Sequence, residues 1–328
     1  MRMKLILLML LVLLLPIVGC GAKTTEEPAD YVTEPVSGPS DIHESPAETD
    51  EPPAVQGLSF LFFSDTQPDP ESGDFSGVGK LLVQAVARDE KPELVVFGGD
   101  TVNTGNDETE WFDFWQSAGM SLGKLVTAAV AGNHDNQTLL SMQFDHPSEA
   151  PFDPGEGWFY SFSTGPVFFI MLDSNIMGAA NQTDIEWLEN ELKSEEATQA
   201  RWRIAVMHHP MWPLSDIPKD IQRAETMREF FLPVMEEYNV DLILCGHQHV
   251  YSRSLPMRGE TVATDNPGIV QMMAASGDKS SYTVADRDFI AVSAEAPNYL
   301  LLTVNESSIN IKAYDGNQKE IDSYRIQK

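Results

Sequence analysis

The chain has little positive charge and almost no cysteine. Of its 328 residues, 21 are Lys or Arg and 50 are Asp or Glu, which leaves a formal net charge of −29. This shortage of cations argues against nucleic acid as a structural partner and against a polybasic membrane-binding patch. The two cysteines are too few for a disulfide framework or a Cys-rich zinc site. Hydrophobic residues at 42% nevertheless support a folded domain.

The longest hydrophobic run stands at the N-terminus. Arg2 and Lys4 precede an apolar run over residues 5–15, which is short for a membrane span of about 20 residues. The run ends in Ile17-Val18-Gly19-Cys20, which resembles the bacterial lipobox. This resemblance implies that residues 1–19 are a lipoprotein signal peptide and that Cys20 carries the lipid. We therefore expect an extracytoplasmic protein, lipid-anchored to the bacterial cell membrane; the alternative is an uncleaved N-terminal anchor.

Large apolar side chains are almost absent between Cys20 and Leu58. Residues 21–57 are instead rich in Pro, Glu, Asp, Ser and Thr. Such a segment cannot bury enough surface to offset its chain entropy. We therefore interpret residues 20–57 as the lipidated Cys followed by a disordered, acidic and Pro-rich tether. Because no repeat or second linker follows, residues 58–328 are expected to form a single catalytic domain. The protein is separately expected to be a monomer.

From residue 58 onward, short apolar runs alternate with helical patterns, as in α/β proteins. Runs such as 58–63 (LSFLFF) and 94–97 (LVVF) are typical of strands that are buried on both faces. Helices are predicted near Thr183–Lys193 and Gln222–Tyr238. The stretch from Gly268 onward alternates apolar and polar residues, which predicts a β-rich closing sheet.

Side chains that can bind metals follow these apolar runs directly. They are Asp65, Asp100, Asn133, His208, His247 and His249. Ligands of α/β sheets bind beyond the carboxyl ends of the strands, so these residues are expected to converge on one crevice. Carboxylate, amide oxygen and imidazole together suit Zn, Mn or Fe.

Histidine is concentrated in the same loops. The chain has only seven histidines, yet His134, His208, His209, His247 and His249 all follow predicted strands. A lone histidine near a core is more often a hydrogen-bonded structural residue than a ligand, but this concentration is hard to explain by packing. Several carboxylates and several imidazoles together indicate two metals rather than one.

The ordered series of motifs resembles a known family. It comprises DTQ at 65–67, GDTVN at 99–103, GNHD at 132–135, HHP at 208–210 and GHQH at 246–249, and it is similar to the calcineurin-like metallophosphoesterases. The segments VYSRS at 250–254 and YLLLTV at 299–304 are similar to the purple acid phosphatase branch. The resemblance covers roughly residues 58–328. It implies an α/β fold, a four-layer α/β/β/α sandwich of two mixed β-sheets, with the metals at the strand ends.

The family pattern also implies a role for each residue. Asp100 would bridge two divalent or trivalent transition metal ions of unknown identity (Fe, Mn or Zn). Asp65 and His249 would bind the first metal, and Asn133, His208 and His247 the second. His134 is the expected catalytic residue beside the leaving-group oxygen, where it stabilises charge or donates a proton. Apart from the family pattern, Asp135 is expected to orient His134 because it is the next residue in the sequence.

Three positions depart from the family pattern. Gln67 stands where a histidine is common, and it is either a weaker metal ligand through its carbonyl oxygen or a residue that supports the ligands. Asn103 stands where the purple branch has a tyrosine, so no ferric charge-transfer colour is expected. The substrate-contacting histidines of the plant enzymes are missing after the HHP motif. His209 either touches substrate or shapes its loop, and the second role is expected.

The resemblance implies an extracytoplasmic phosphoesterase that uses two metals. It would hydrolyse small-molecule or cell-surface phosphate esters through attack by a metal-bridging hydroxide. The C-terminal motifs favour monoesters slightly. The alternatives are a phosphodiesterase acting on cell-wall, glycan or nucleotide diesters, and a non-catalytic surface binding protein on the same fold, with Gln67 as the sign of a lost ligand.

Overall fold

The computed structural model describes residues 57–123, 125–144, 158–177, 181–264, 268–279 and 282–328. The predictions for the signal peptide, for Cys20 and for the tether up to residue 56 lie outside these ranges. Within them, no helix has both the length and the apolar character that a membrane span requires.

Fifteen strands and eight helices build the described part of the chain. In chain order the elements are β1 (Leu58–Phe63), α1 (Ser76–Val86), β2 (Leu94–Phe97), α2 (Glu108–Leu122), β3 (Val126–Ala129), α3 (Gln137–Leu140), β4 (Tyr160–Thr164), β5 (Val167–Leu172), α4 (Ser174–Met177), α5 (Gln182–Lys193), α6 (Glu195–Gln199), β6 (Trp202–Met207), α7 (Pro218–Phe230), α8 (Leu232–Glu237), β7 (Leu242–Cys245), β8 (Val250–Ser254), β9 (Met257–Arg258), β10 (Thr261–Val262), β11 (Val270–Met273), β12 (Ile290–Glu295), β13 (Asn298–Val304), β14 (Ser308–Asp315) and β15 (Glu320–Gln327).

Both large sheets are mixed, as predicted. The first sheet has the strand order β15-β14-β13-β1-β2-β3, in which β1, β2 and β3 are parallel and β13 to β15 are antiparallel to their neighbours. The second has the order β12-β8-β11-β7-β6-β5-β4, with a parallel centre of β5, β6, β7 and β11. Strands β9 and β10 form a separate small ribbon. Seven parallel strands therefore end at the carboxyl edges of the two sheets.

The alternation of side chains along each strand separates the layers. Phe169 of β5 meets Phe60 of β1 edge-to-face, with ring centroids 5.2 Å apart, and this contact lies between the two sheets. Its neighbour Phe168 belongs to the other apolar cluster, together with residues of α5, α7 and α8. On the outer face of the first sheet, Phe97 packs against Phe114 of α2. The four-layer α/β/β/α arrangement is thus confirmed.

Two details differ from the sequence predictions. The helix expected near Gln222–Tyr238 is two helices, α7 and α8, because Pro233 lies in the first turn of α8 and has no N–H to continue α7. The C-terminal stretch is not one closing sheet: β11 and β12 join the second sheet, while β13 to β15 join the first. Local alternation predicts strands, but it does not say which sheet each strand will join.

Candidate metal centre

The polar loops that follow the parallel strands meet at one place between the two sheets. Asp65 follows β1, Asp100 follows β2, His208 follows β6, and His247 and His249 follow β7. Two hydrogen bonds join the sheets there: the backbone N–H of His247 donates to Asp65 Oδ2 at 2.8 Å, and His208 Nδ1 lies 2.9 Å from the carbonyl of Gly98. The convergence expected from the sequence is therefore present for these five side chains.

Asp65 is held tightly by its surroundings. The Ser64 hydroxyl donates to Asp65 Oδ2 at 2.8 Å, while Oδ1 lies 3.5 Å from Nε2 of His249. A Cβ at Gly246 would lie 1.9 Å from Ser64 Oγ and 2.2 Å from Asp65 Oδ2. The GHQH loop can approach Asp65 this closely only because its first residue is glycine.

Asp100 lies at the centre of the group. Its Oδ1 accepts the backbone N–H of His134 at 2.8 Å, and its Oδ2 accepts the side-chain amide of Gln67 at 3.1 Å. Nε2 of His208 lies 3.4 Å from the same Oδ2. At Gly132 a Cβ would be 2.2 Å from Asp100 Oδ1, so this loop also requires glycine. Asp100 thus contacts the loops that follow β1, β3 and β6.

The chemistry of the group fits a bound cation. Asp65, Asp100 and His249 each offer one ligand atom, and these atoms lie within 4.8 Å of one another. Among the described residues, the buried side-chain atoms without a hydrogen-bond partner include Asp65 Oδ1, Gln67 Oε1 and His208 Nε2. Buried polar atoms are normally paired, so unpaired carboxylate, amide and imidazole atoms in one group indicate that a cation belongs there.

The backbone is strained at the same residues. Asp65, Asp100, His247 and His249 have positive φ angles of 49°, 51°, 76° and 48°. This left-handed conformation is uncommon for residues other than glycine and costs about 1–3 kcal/mol each. Such strain concentrates at functional sites, where the surrounding structure imposes it.

Burial and neighbouring charges shift the pKa values of the group in opposite directions. Burial raises the pKa of Asp65 to about 7; the charge of His208 opposes this rise and that of Asp100 adds to it. Burial also acts to raise the pKa of Asp100, but the charge of the neighbouring His208 outweighs it and holds the pKa below its usual range. His208 shows the reverse: burial acts to lower its pKa, but the charge of Asp100 outweighs burial and the pKa rises to about 9. The charges of these three side chains therefore depend on one another.

The GNHD loop supplies two exposed or half-buried side chains. Asn133 is exposed, and His134 is half-buried with Nδ1 lying 2.8 Å from the carbonyl oxygen of Asn103. Because a carbonyl can only accept, Nδ1 carries the proton of this bond. Asp135 does not orient the ring, contrary to expectation: its carboxylate accepts the backbone N–H groups of Thr101 and Gly132.

His209 is buried and hydrogen-bonded to the segment after β5. Its Nδ1 lies 3.0 Å from the hydroxyl of Ser174, and its backbone N–H donates to that hydroxyl at 2.8 Å. Burial, together with the charges of His208 and His247, lowers its pKa well below the usual value.

Sequence reasoning missed two neighbours of the group. Asp220, in the first turn of α7, lies 3.1 Å from Nε2 of His247. Tyr282, in the loop after β11, has its ring centroid 5.3 Å from that of His249. The signal for this loop was present in the sequence, because residues 270–277 (VQMMAASG) repeat the pattern of an apolar run that ends in glycine. No comparable signal marks Asp220.

The sequence of the chain is similar to a known protein family and to individual phosphoesterases. Residues 58–251 match the model of the calcineurin-like phosphoesterase family. A purple acid phosphatase of Glycine max is 26% identical over 189 residues, which cover 53% of this chain and 40% of the relative. A protein of Arcobacter nitrofigilis named "Probable glycerophosphodiester phosphodiesterase GpdQ" is 28% identical over 170 residues, which cover 50% of this chain and 59% of the relative. The chain thus spans less than two thirds of either relative.

The fold is also found among solved structures. The purple acid phosphatase PPD1 from yellow lupin (Lupinus luteus) seeds superposes with a TM-score of 0.71 at 16% identity. The match covers 83% of this chain and 54% of the lupin chain. At this identity the likeness concerns the fold.

Proposed function

The chain belongs to the calcineurin-like phosphoesterase family, and from this premise we propose that it is a metal-dependent hydrolase of phosphate esters. The observation that carries the proposal is the set of unpaired buried polar atoms around Asp100. Asp65 Oδ1, Gln67 Oε1 and His208 Nε2 are all buried without a hydrogen-bond partner among the described residues. A purely structural polar cluster would leave few such atoms unpaired.

We assign two metal ions to this site. Asp100 would contact both, Asp65 and His249 would hold the first, and Asn133, His208 and His247 would hold the second. Gln67 already donates its amide to Asp100, so its unpaired Oε1 is available to a cation as a weaker ligand. When bound, such a metal pair supplies water activation at neutral pH and neutralises phosphoryl charge.

His134 is the residue of this chain that we assign to proton transfer. Its Nδ1 is engaged by the carbonyl of Asn103, which fixes the ring and leaves Nε2 as the atom that can face a substrate. A proton held at Nε2 would pass to the leaving-group oxygen as the ester bond breaks. The backbone N–H of His134 donates to Asp100, which holds the loop against the cluster.

Sequence features and relatives support a proposal for the substrate and the location. We propose that phosphate monoesters are preferred, because residues 250–254 and 299–304 are similar to the purple acid phosphatase branch. Diesters are the second candidate, supported by the similarity to the protein named as a glycerophosphodiester phosphodiesterase. The N-terminal motif ending at Cys20 supports an extracytoplasmic, lipid-anchored enzyme.

Metal content and turnover test the proposal. Purified protein should bind close to two transition metals per chain and hydrolyse 4-nitrophenyl phosphate faster than bis(4-nitrophenyl) phosphate when loaded with Mn, Zn or Fe. Asp100→Asn should remove both properties. Asp322→Asn is a matched control, because Asp322 is also a hydrogen-bonded carboxylate but pairs with Arg253 and Tyr251 instead. Protein that binds none of these metals and stays inactive with each would refute the function.

A further inference from the structure

An open depression of about 390 Å³ lies beside the candidate metal centre. Four of the residues that line it carry carboxamides and a fifth carries a hydroxyl: Asn133, Asn136, Gln137, Asn175 and Thr138. Among the described residues, those that line it include no aromatic and no cationic side chain. The surface of this depression therefore offers neutral hydrogen-bonding groups.

The depression reaches the centre itself. Gly132 lines it, and a Cβ at that position would be 2.2 Å from Asp100 Oδ1. Asp135 is the one charged residue in its described lining, but the carboxylate accepts the backbone N–H groups of Thr101 and Gly132. A group placed in the depression would thus lie beside Asp100 and would meet amides rather than an available charge.

Hydrogen bonds within the described residues orient three of the amides. Gln137 donates its amide nitrogen to Asp173, so its Oε1 is the end left to bind. Asn175 donates its nitrogen to two backbone carbonyls at 3.2 Å, which leaves Oδ1. The Oδ1 of Asn136 accepts a backbone N–H of α3 at 3.1 Å, which leaves the amide nitrogen. Two acceptors and one donor are therefore presented in defined orientations.

We propose, on the premise of the phosphoesterase function above, that this depression binds the alcohol portion of the substrate and that this alcohol is polyhydroxylated, as in glycerol or a sugar. Hydroxyl groups can donate to the two amide oxygens and accept from the amide nitrogen. Sites built to hydrogen-bond hydroxyls discriminate against analogues that lack them, because their polar groups are then left unpaired. An aromatic alcohol has no additional hydroxyl groups that could pair with these amides.

Two substitutions test this subsite and leave Asn136, whose Oδ1 caps α3, unchanged. Thr138→Val is isosteric, and Gln137→Leu removes one of the oriented acceptors. Each should lower kcat/KM for glycerol 3-phosphate about three- to tenfold, as expected for one lost hydrogen bond, and should leave kcat/KM for 4-nitrophenyl phosphate nearly unchanged. Gln182→Leu, an exposed glutamine on α5, is the matched control and should change neither value.

The outcomes separate this proposal from its premise. Turnover of neither ester by the metal-loaded wild-type protein would overturn the phosphoesterase function and this subsite with it. Turnover of both esters, with the ratio of their kcat/KM values unchanged in Thr138→Val and Gln137→Leu, would overturn the subsite alone.

The first turn of α7 brings a buried carboxylate to one of the expected metal-binding histidines. Asp220 is 4% exposed; its Oδ1 lies 3.1 Å from Nε2 of His247, and its Oδ2 accepts the amide of Gln248 at 3.1 Å. The side-chain amide of Gln248 cannot flip freely, because its Oε1 accepts the backbone N–H of Leu214 at 2.7 Å. Both oxygens of Asp220 therefore have donors of fixed direction.

We also propose that Asp220 is a positioning residue for His247. A carboxylate accepts but does not donate, so the proton of the ring lies on Nε2 and the lone pair on Nδ1 becomes the metal-binding atom. A carboxylate on the distal nitrogen of a metal-binding histidine fixes the orientation of the ring and raises its basicity.

Asp220→Asn tests this role through metal affinity. The asparagine must turn its NH₂ group toward either Gln248 or His247, both of which already offer a donor. Removing such a partner typically weakens metal binding by about 10–100-fold. The affinity is measured for Zn and Mn by competition with a fluorescent chelator, and Asp322→Asn is the control that should bind metal like the wild type.

The protonation of the ring provides a second readout that needs no variant and no turnover. In ¹⁵N NMR spectra of the metal-free wild-type protein, the neutral His247 ring should carry its proton on Nε2. A proton on Nδ1 would overturn the proposal, and so would an Asp220→Asn protein that binds both metals with wild-type affinity.

Discussion

Replacing Gly246 by alanine should damage the metal centre from a position that offers no ligand. The added Cβ would lie 1.9 Å from Ser64 Oγ and 2.2 Å from Asp65 Oδ2, whereas Cβ contacts shorter than 3.0 Å are essentially not observed. Rotation of Ser64 relieves only the first clash, because Asp65 Oδ2 is held by the backbone N–H of His247. The GHQH loop and Asp65 must therefore separate by about 1 Å.

Two consequences follow, and each has its own assay. Overpacking of this kind costs about 1–3 kcal/mol in the free energy of unfolding, which urea denaturation in the presence of a chelator will measure. Displacing Asp65 from His249 by this amount should also weaken metal binding by about 10–100-fold, as measured by chelator competition. Both effects are steric, since Gly246 is not among the glycines with positive φ.

Gly119→Ala is the matched control. Gly119 lies within α2, and a Cβ there would have its nearest neighbour, Trp115, at 3.5 Å. Alanine at this position should stabilise the protein by about 0.5–1 kcal/mol and leave metal affinity unchanged. A Gly246→Ala protein with wild-type stability and wild-type metal affinity would refute the close approach of the two loops.

Four further outcomes are expected. Removing metal with a chelator should lower the melting temperature, because a ligand at 100 times its Kd contributes about 2.7 kcal/mol, and an unchanged value in calorimetry would contradict metal binding. His208→Ala should abolish turnover of 4-nitrophenyl phosphate while keeping the circular dichroism spectrum of the wild type; unchanged rates would remove His208 from the site. His209 has a lowered pKa in the folded state, so below pH about 6.5 the unfolded chain takes up a proton that the folded protein does not. The free energy of unfolding of the wild type should therefore fall relative to that of His209→Gln as pH decreases, and parallel curves would exclude this contribution. Finally, Cys20→Ser should release the protein from the membrane fraction, and retention there would argue against the lipid anchor.

The sequence alone determined the kind of site and its approximate place. Strand burial and turn chemistry are local properties, so an apolar run that ends in a short polar loop is visible without a structure, as it is for Asp65 and His208. Ligands of parallel sheets gather at the carboxyl ends of strands, which makes the convergence of these loops predictable. The order of the motifs was sufficient to indicate the family and its four layers.

Only the tertiary structure decided which atoms face one another. Asp65 and His247 are 182 residues apart in the chain, and the hydrogen bond between them exists because the two sheets pack face to face. Asp220 precedes His247 by 27 residues and reaches it only because α7 packs beside the loop after β7. The role of Asp135 was mistaken for a related reason: adjacency to His134 in sequence suggested a contact between side chains, while the fold turned the carboxylate toward backbone N–H groups. Residue types and periodicity are encoded locally, but the partners of a buried polar group depend on which distant segments fill the space around it.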